Sequence, residues 1–151
     1  EIITIVLEGA VAHKDSMGNE TIIRPGEVQR MSAGTGVRHS EYNASPDEPL
    51  HLLQIWLHPN QQGLPPSYEQ KQFDLSQPGL TKLVSPTKTQ GAIGINQDVE
   101  LSRLILAPNQ LNELPLAKQR HAWIQVIAGP LEVNGQLLKS GDGLAVSALD
   151  N

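Results

Sequence analysis

The run I-I-T-I-V-L at residues 2–7, followed by Glu8 and Gly9, decides the fold class. Its β-branched residues predict a strand that is buried on both faces. A second run at residues 125–129, Q-V-I-A-G, resembles the end of the first, I-V-L-E-G. After each run the sequence predicts a hairpin, another strand and a turn that contains a glycine and an acidic residue. Because the same order occurs twice, we infer two copies of one β-domain. Chance similarity between aliphatic residues and glycines stays an alternative.

The rest of the chain predicts short strands separated by glycine and proline turns, without a sustained helical period. This pattern is typical of β-sandwiches and β-barrels. Asn134-Gly135 is the strongest hairpin signal. Residues 58–66 have the composition of a linker, residues 67–75 predict one helical turn, and the strand pattern is absent from about residue 58 to residue 91. Further strands are predicted at residues 11–14, 21–23, 28–31, 37–43, 50–57, 92–95, 99–106, 122–127, 136–138 and 144–146.

Composition excludes several classes of protein. The chain has 151 residues and no cysteine, which excludes disulfide frameworks, thiolate zinc sites, iron–sulfur clusters and cysteine nucleophiles. Its formal charge is −5 with scattered Lys and Arg, which disfavours direct binding of nucleic acid. The apolar runs are far shorter than the ~20 residues of a membrane span. With no signal peptide visible, we expect a cytoplasmic protein that does not bind membranes.

The chemistry of the chain is expected at His39 and Glu41. Residues two apart on a strand project from the same face, so an imidazole nitrogen and a carboxylate oxygen would lie side by side. Such a pair can occupy adjacent positions around one divalent ion, and it suits iron, manganese, nickel, copper or zinc. A partly buried histidine paired with a glutamate, without metal, is the alternative interpretation.

The other four histidines have weaker signals. His13 on the preceding hairpin and His51 on the following strand are either additional ligands or ordinary surface residues. His58 lies in the linker, and we expect no chemical role for it. His121 has no acidic residue or histidine two positions away, so a second metal site is not expected.

The stretch M-S-A-G-T-G-V-R-H-S-E-Y-N at residues 31–43, together with H-L-L-Q-I-W-L at residues 51–57, resembles the pirin family of the cupin superfamily. The resemblance covers essentially the whole chain and extends to bacterial pirin-like proteins with quercetin 2,3-dioxygenase activity. It implies an all-β bicupin, built from two double-stranded β-helix barrels. The N-terminal cupin would span residues 1–75 without its first strands, and the C-terminal cupin residues 76–151 without its last strands.

The resemblance also implies one metal in the N-terminal cupin, bound by four residues. Two of them match His39 and Glu41, and the other two form a His-x-His expected just before residue 1. Iron is the expected metal, with manganese, nickel, cobalt, copper and zinc as alternatives. Glu1 would either hydrogen-bond to this site or be an ordinary terminal residue.

The implied function is that of a metal-dependent dioxygenase cleaving flavonols such as quercetin, or another small aromatic substrate. Glu41 is then the catalytic proton acceptor, with Glu1 as the alternative. A different interpretation is a non-enzymatic, metal-binding regulatory protein that acts through protein partners. In a third, this chain is not catalytic, because it carries only half of the ligands.

Overall fold

The computed structural model describes residues 1–74 and 76–147. The chain forms two compact units, Glu1–Asn109 and Gln110–Asn151. Within the described ranges, the only helical element is the 3₁₀ turn Thr89–Gly91, which confirms the predicted all-β class. No helix in these ranges is long and apolar enough to cross a membrane. The predicted boundary between two cupins, at Leu75 just outside the described residues, stays a prediction.

The described residues of the first unit form ten strands in three sheets. The sheets have the strand orders β6-β1-β4-β7, β3-β2-β5 and β10-β8-β9. Neighbouring strands are antiparallel except for the parallel pair β8 and β9. The strands are β1 Ile2–Glu8, β2 Val11–Asp15, β3 Glu20–Ile23, β4 Glu27–Ser32, β5 His39–Asn43, β6 His51–Trp56, β7 Ser67–Gln72, β8 Gly79–Ser85, β9 Ile93–Gly94 and β10 Leu101–Ile105.

Strand β1 is buried on both faces, as its aliphatic run predicts. Ile3 and Ile5 point into the larger core, against residues of the β10-β8-β9 sheet such as Leu83 and Val84. Val6 points to the opposite face and packs in a smaller core with Val11 and Ile23. The four-stranded sheet thus lies between this larger core and the β3-β2-β5 sheet, and alternate residues of β1 serve the two sides.

The predicted helical turn at residues 67–75 is wrong. Residues 67–72 form strand β7, which pairs with β4 from Ser32↔Ser67 to Glu27↔Gln72. The sequence S-Y-E-Q-K-Q has no aliphatic residue, so its strand character comes from the neighbouring strand rather than from its own composition. Strand β8 likewise lies within residues 58–91, where the sequence pattern predicts no strand.

The second unit contains four strands in its described part. They are β11 His121–Gln125, β12 Leu131–Val133, β13 Gln136–Leu138 and β14 Gly143–Ser147. Strand β11 pairs with β14, and β12 pairs with β13. Asn134 and Gly135 connect β12 to β13 with φ angles of 49° and 80°. Positive φ at both positions is typical of a type I′ turn, so the predicted hairpin is confirmed.

Candidate metal centre

Strand β5 brings His39 and Glu41 to one face, next to two polar residues of β2. In the antiparallel pair of β2 and β5, His13 lies opposite Glu41 and Asp15 lies opposite His39. Directly opposed residues project from the same side of a sheet. Two imidazoles and two carboxyl groups therefore share a single patch on adjacent strands.

The carboxylate of Glu41 is partly enclosed and is held by a neighbouring strand. Only 17% of its side chain is exposed. Its Oε2 atom accepts a hydrogen bond from Nε2 of Gln54 at 2.6 Å. The side-chain oxygen of Gln54 in turn accepts a hydrogen bond from Nε1 of Trp56 at 3.0 Å. This series of contacts restricts the rotation of the Glu41 carboxylate.

His13 is the most enclosed of the polar groups in this patch, with 1% of its surface exposed. Its Nδ1 atom lies 3.5 Å from Oε1 of Glu41. Its ring stacks against His39, with the ring centroids 5.9 Å apart and an interplanar angle of 21°. Tyr68 also packs against the ring at 5.1 Å between centroids. The sequence alone does not decide whether His13 is a ligand or an ordinary surface residue. In the structure, the His13 side chain is buried next to Glu41.

Asp15 anchors His13 from the tip of the β2–β3 hairpin. Nε2 of His13 lies 3.1 Å from Oδ2 of Asp15. Burial raises the pKa of Asp15, but hydrogen bonds from Asn19, from His13 and from the backbone N–H groups of Asn19 and Met17 outweigh this and lower the pKa to about 2. The carboxylate is therefore ionised at neutral pH and accepts the Nε2–H of His13.

A row of polar side chains crosses the four-stranded sheet opposite this patch. Register pairs Gln54 with Thr4, Thr4 with Gln29 and Gln29 with Gln70. Paired residues share a face, and Gln54 reaches Glu41 from it, so the whole row faces the β3-β2-β5 sheet. The sequence did contain a signal for this row, because Thr4 and Gln54 interrupt otherwise aliphatic strands.

Two atoms of this row are buried without a hydrogen-bond partner in the described part of the chain. They are Oγ1 of Thr4 and Oε1 of Gln29. The amide nitrogen of Gln29 lies 3.5 Å from Nδ1 of His13. Since buried polar groups are ordinarily satisfied, these two atoms mark the space between the sheets as one that suits a polar occupant.

Tyr68 closes this space from strand β7. Its hydroxyl donates to Oε1 of Gln70 at 2.7 Å and lies 2.7 Å from Oγ1 of Thr21. Burial raises the pKa of Tyr68, and the nearby charges of Asp15 and two glutamates raise it further, while the hydrogen bond with Thr21 acts in the opposite direction. Tyr68 is therefore a neutral hydrogen-bond donor at physiological pH.

Within the first unit, the structure does not bring His51 or His58 to this patch. His51 is exposed on the sheet face that carries Leu53 and Ile55, opposite to the face of Gln54. His58 is exposed. The ring of His121 lies in the second unit, where its Nδ1 atom is 2.9 Å from the Ser147 hydroxyl.

Glu1 lies on the other side of the sheet from His39 and Glu41. It shares a face with Ile3, which packs in the larger core. Its carboxylate accepts hydrogen bonds from the hydroxyl of Ser32 and from the side chain and backbone of Asn96. Glu1 therefore lies in a hydrogen-bond network with Ser32 and Asn96, on the face of the sheet opposite to Glu41.

The donor groups of the patch fit part of the coordination sphere of a divalent ion. His39 offers a nitrogen and Glu41 an oxygen, which is a combination typical of iron, manganese and nickel sites. Among residues 1–74 and 76–147, no group of three or more His, Asp or Glu side chains is arranged to hold a metal ion. These two residues would thus leave further positions to other ligands and to a substrate.

Two family models match the chain. Residues 1–57 match the model described as Pirin, and residues 82–151 match the model described as Quercetinase C-terminal cupin domain. A curated relative from Escherichia coli K12, named quercetin 2,3-dioxygenase, is 47% identical over 146 residues. That alignment covers 97% of this chain and 63% of the relative. The chain therefore spans less than two thirds of the relative's length.

Solved structures agree with these matches. The crystal structure of YhhW from Escherichia coli is similar with a TM-score of 0.93 at 46% identity, over 96% of this chain and 62% of that one. A second structure, bacterial pirin YhhW in complex with nickel(II), has a TM-score of 0.80 at 41% identity, over 97% and 62% of the two chains. With the two matched models and this shared fold, the chain covers part of a bicupin and belongs to the pirin family.

Proposed function

We propose that the protein is a metal-dependent dioxygenase that cleaves flavonols such as quercetin. The observation that carries this proposal is the pairing of His39 and Glu41 on one face of β5, with the carboxylate enclosed and held by Gln54. The name of the Escherichia coli relative, quercetin 2,3-dioxygenase, supports the same activity. The cytoplasm is the proposed compartment.

His39 and Glu41 are the proposed metal ligands. Iron is the proposed metal, with manganese, nickel, cobalt, copper and zinc as alternatives, and the nickel(II) complex of YhhW supports a divalent ion. When bound, such an ion would act as a Lewis acid toward the hydroxyl and ketone oxygens of a flavonol and lower the pKa of the hydroxyl.

The protein's own residues bind and orient the substrate and accept its proton. Glu41 is also the proposed acceptor of the flavonol hydroxyl proton. The Tyr68 hydroxyl and the polar row of the four-stranded sheet would offer hydrogen bonds to a substrate in the space between the sheets. In the proposed reaction both atoms of one O₂ add across the heterocyclic ring of the flavonol and stay in the cleaved product. The two C–C bonds to the hydroxyl-bearing ring carbon break, and this carbon leaves with its oxygen as carbon monoxide.

Oxygen consumption tests the proposal. We expect the purified protein, loaded with Fe²⁺ or Ni²⁺, to consume oxygen when quercetin is added and to release carbon monoxide. His39→Ala and Glu41→Gln are expected to lose most of the bound metal and at least ~100-fold of the rate. His51→Gln is the matched control, since it removes an exposed histidine outside the patch, and it should retain both.

The outcomes separate the alternatives. Metal-loaded protein that consumes no oxygen with quercetin would overturn the dioxygenase proposal. Stoichiometric metal binding without turnover would instead favour the regulatory protein that acts through protein partners. Unchanged metal content in His39→Ala and in Glu41→Gln would show that the ligands lie elsewhere.

A further inference from the structure

We propose that His13 is a positioning residue of this metal centre, fixing both the Glu41 carboxylate and the His39 ring. The inference rests on the proposed function, because it assigns His13 a role toward the two proposed ligands. It does not make His13 a ligand. Its function would be to hold the two donor groups in a single arrangement before the metal binds.

One buried ring lies beside both proposed ligands. Nδ1 of His13 lies 3.5 Å from Oε1 of Glu41, directly across the paired strands. The same ring stacks against His39 at 5.9 Å between centroids and 21° between planes. The His13 side chain is 0% exposed, whereas 17% of the Glu41 side chain is exposed. We therefore infer that the buried His13 ring restrains the more exposed Glu41 side chain, and not the reverse.

His13 is itself fixed by a structured turn. Oδ2 of Asp15 holds Nε2 of His13 and also accepts a hydrogen bond from the Asn19 side chain at 2.8 Å. Oδ1 of Asp15 accepts from the backbone N–H groups of Met17 at 2.9 Å and Asn19 at 3.1 Å. All of these donors lie at the tip of the β2–β3 hairpin, so the hairpin sets the rotation of the His13 ring.

The energetic reason for such an arrangement is preorganisation. A glutamate and a histidine with free rotamers lose side-chain entropy when they coordinate a metal. Contacts that fix the ligands beforehand remove part of this cost, and losing such supporting contacts typically lowers metal affinity by about 10- to 100-fold. Gln54 holds one carboxylate oxygen of Glu41, and His13 faces the other.

The first test is a Ni²⁺ titration of the purified protein by calorimetry. His13→Phe keeps a ring of similar size for stacking but removes both nitrogens, and we expect Ni²⁺ affinity to fall about 10- to 100-fold. Asp15→Asn keeps the shape of the anchor and should weaken Ni²⁺ binding less. His51→Gln should bind Ni²⁺ as the wild type does. The absorption bands of bound Ni²⁺ should shift in His13→Phe, since the ligand geometry changes.

A second test needs no metal and remains informative if His13→Phe folds poorly. In the metal-free protein, we expect Asp15→Asn to shift the side-chain carboxyl ¹³C resonance of Glu41 and the ring ¹⁵N resonances of His39. Wild-type protein that binds no Ni²⁺ would overturn the proposed function, and these resonances would then decide whether His13 orients the two residues. Unchanged resonances, or wild-type Ni²⁺ affinity in folded His13→Phe, would overturn the inference.

Discussion

Thr4 and Gln29 lie opposite each other on β1 and β4, and within the described residues each carries a buried side-chain oxygen without a hydrogen-bond partner. Leaving such an atom unsatisfied costs about 1–3 kcal/mol of stability. Gln54 and Gln70 extend the row on both sides. A polar row through an aliphatic sheet thus lowers the stability of the unliganded fold while supplying hydrogen-bonding groups opposite Glu41.

Thr4→Val tests this cost directly. Valine has nearly the shape of threonine and removes the unsatisfied hydroxyl, so we expect the free energy of unfolding of the metal-free protein to rise by up to about 1 kcal/mol. Urea denaturation measures the change, and Thr4→Ser, which keeps a hydroxyl but loses a methyl group, is the control. Destabilisation by Thr4→Val would show that the hydroxyl has a partner in solution.

Trp56 should report on metal binding. Its indole N–H bonds to Gln54, which bonds to Glu41, and 71% of its surface is exposed. In a Trp123→Phe protein, Trp56 is the sole tryptophan, because the chain contains two. We expect Ni²⁺ to quench its fluorescence with saturation. Adding Glu41→Gln should remove the saturable response, and a response that survives would place the ion elsewhere.

Arg30 should be essential for stability, although it lies away from the metal centre. Its buried guanidinium donates to the carbonyl oxygen of Gly94 at 2.9 Å, to Ser67 at 2.6 Å and to Glu69 at 3.2 Å. We expect Arg30→Ala to cost about 3–5 kcal/mol, because it leaves a partly buried carboxylate and a buried carbonyl group without this donor. Thermal or urea unfolding measures the loss.

The control for Arg30→Ala is an exposed ion pair of the same kind. Lys14 bonds to Glu20 at 2.9 Å, and 62% and 69% of the two side chains are exposed. Lys14→Ala should leave the free energy of unfolding nearly unchanged, because solvent screens this exposed pair. If both variants lost the same free energy of unfolding, the burial of Arg30 would not increase its contribution to stability.

Asp15 should make the protein sensitive to acid. Its pKa is lowered from 3.8 to about 2 in the folded chain, so folding favours the ionised form. The stabilisation is complete above about pH 4 and is lost as the pH falls through about 2, with a size of about 1–2 kcal/mol after allowance for screening. Unfolding measured from pH 5 to pH 2 should show a flatter pH dependence for Asp15→Asn, and identical slopes would contradict the assignment.

The sequence predicted the strands that carry their own aliphatic pattern, and it failed where a strand depends on its neighbour. The run at residues 2–7 and the Asn134-Gly135 turn are local signals, and both predictions are confirmed. Strand β7 consists of polar residues, and its conformation follows from pairing with β4. No local pattern could have indicated this pairing.

The same distinction applies to the metal centre. His39 and Glu41 are two residues apart, so their common face follows from strand geometry alone. His13 meets Glu41 only through the register of β2 with β5, and register depends on the whole hairpin. Glu1 lies on the face of the sheet that carries Ile3, whereas the β5 residues lie beyond the opposite face. Alternate residues of β1 point to opposite sides of the sheet, so Glu1 does not contact His39 or Glu41.

Alternate residues of strand β1 contribute to the larger core and to the face that holds the polar row, so the two faces can evolve separately. Substitutions at Ile3 or Ile5 act on the core, whereas substitutions at Thr4 act on the opposite face. Selection can therefore adjust stability and chemistry at neighbouring codons by separate point mutations. Insertion of one codon would exchange the two sets of side chains at once, so the strand can diversify by replacement but not by a change in length.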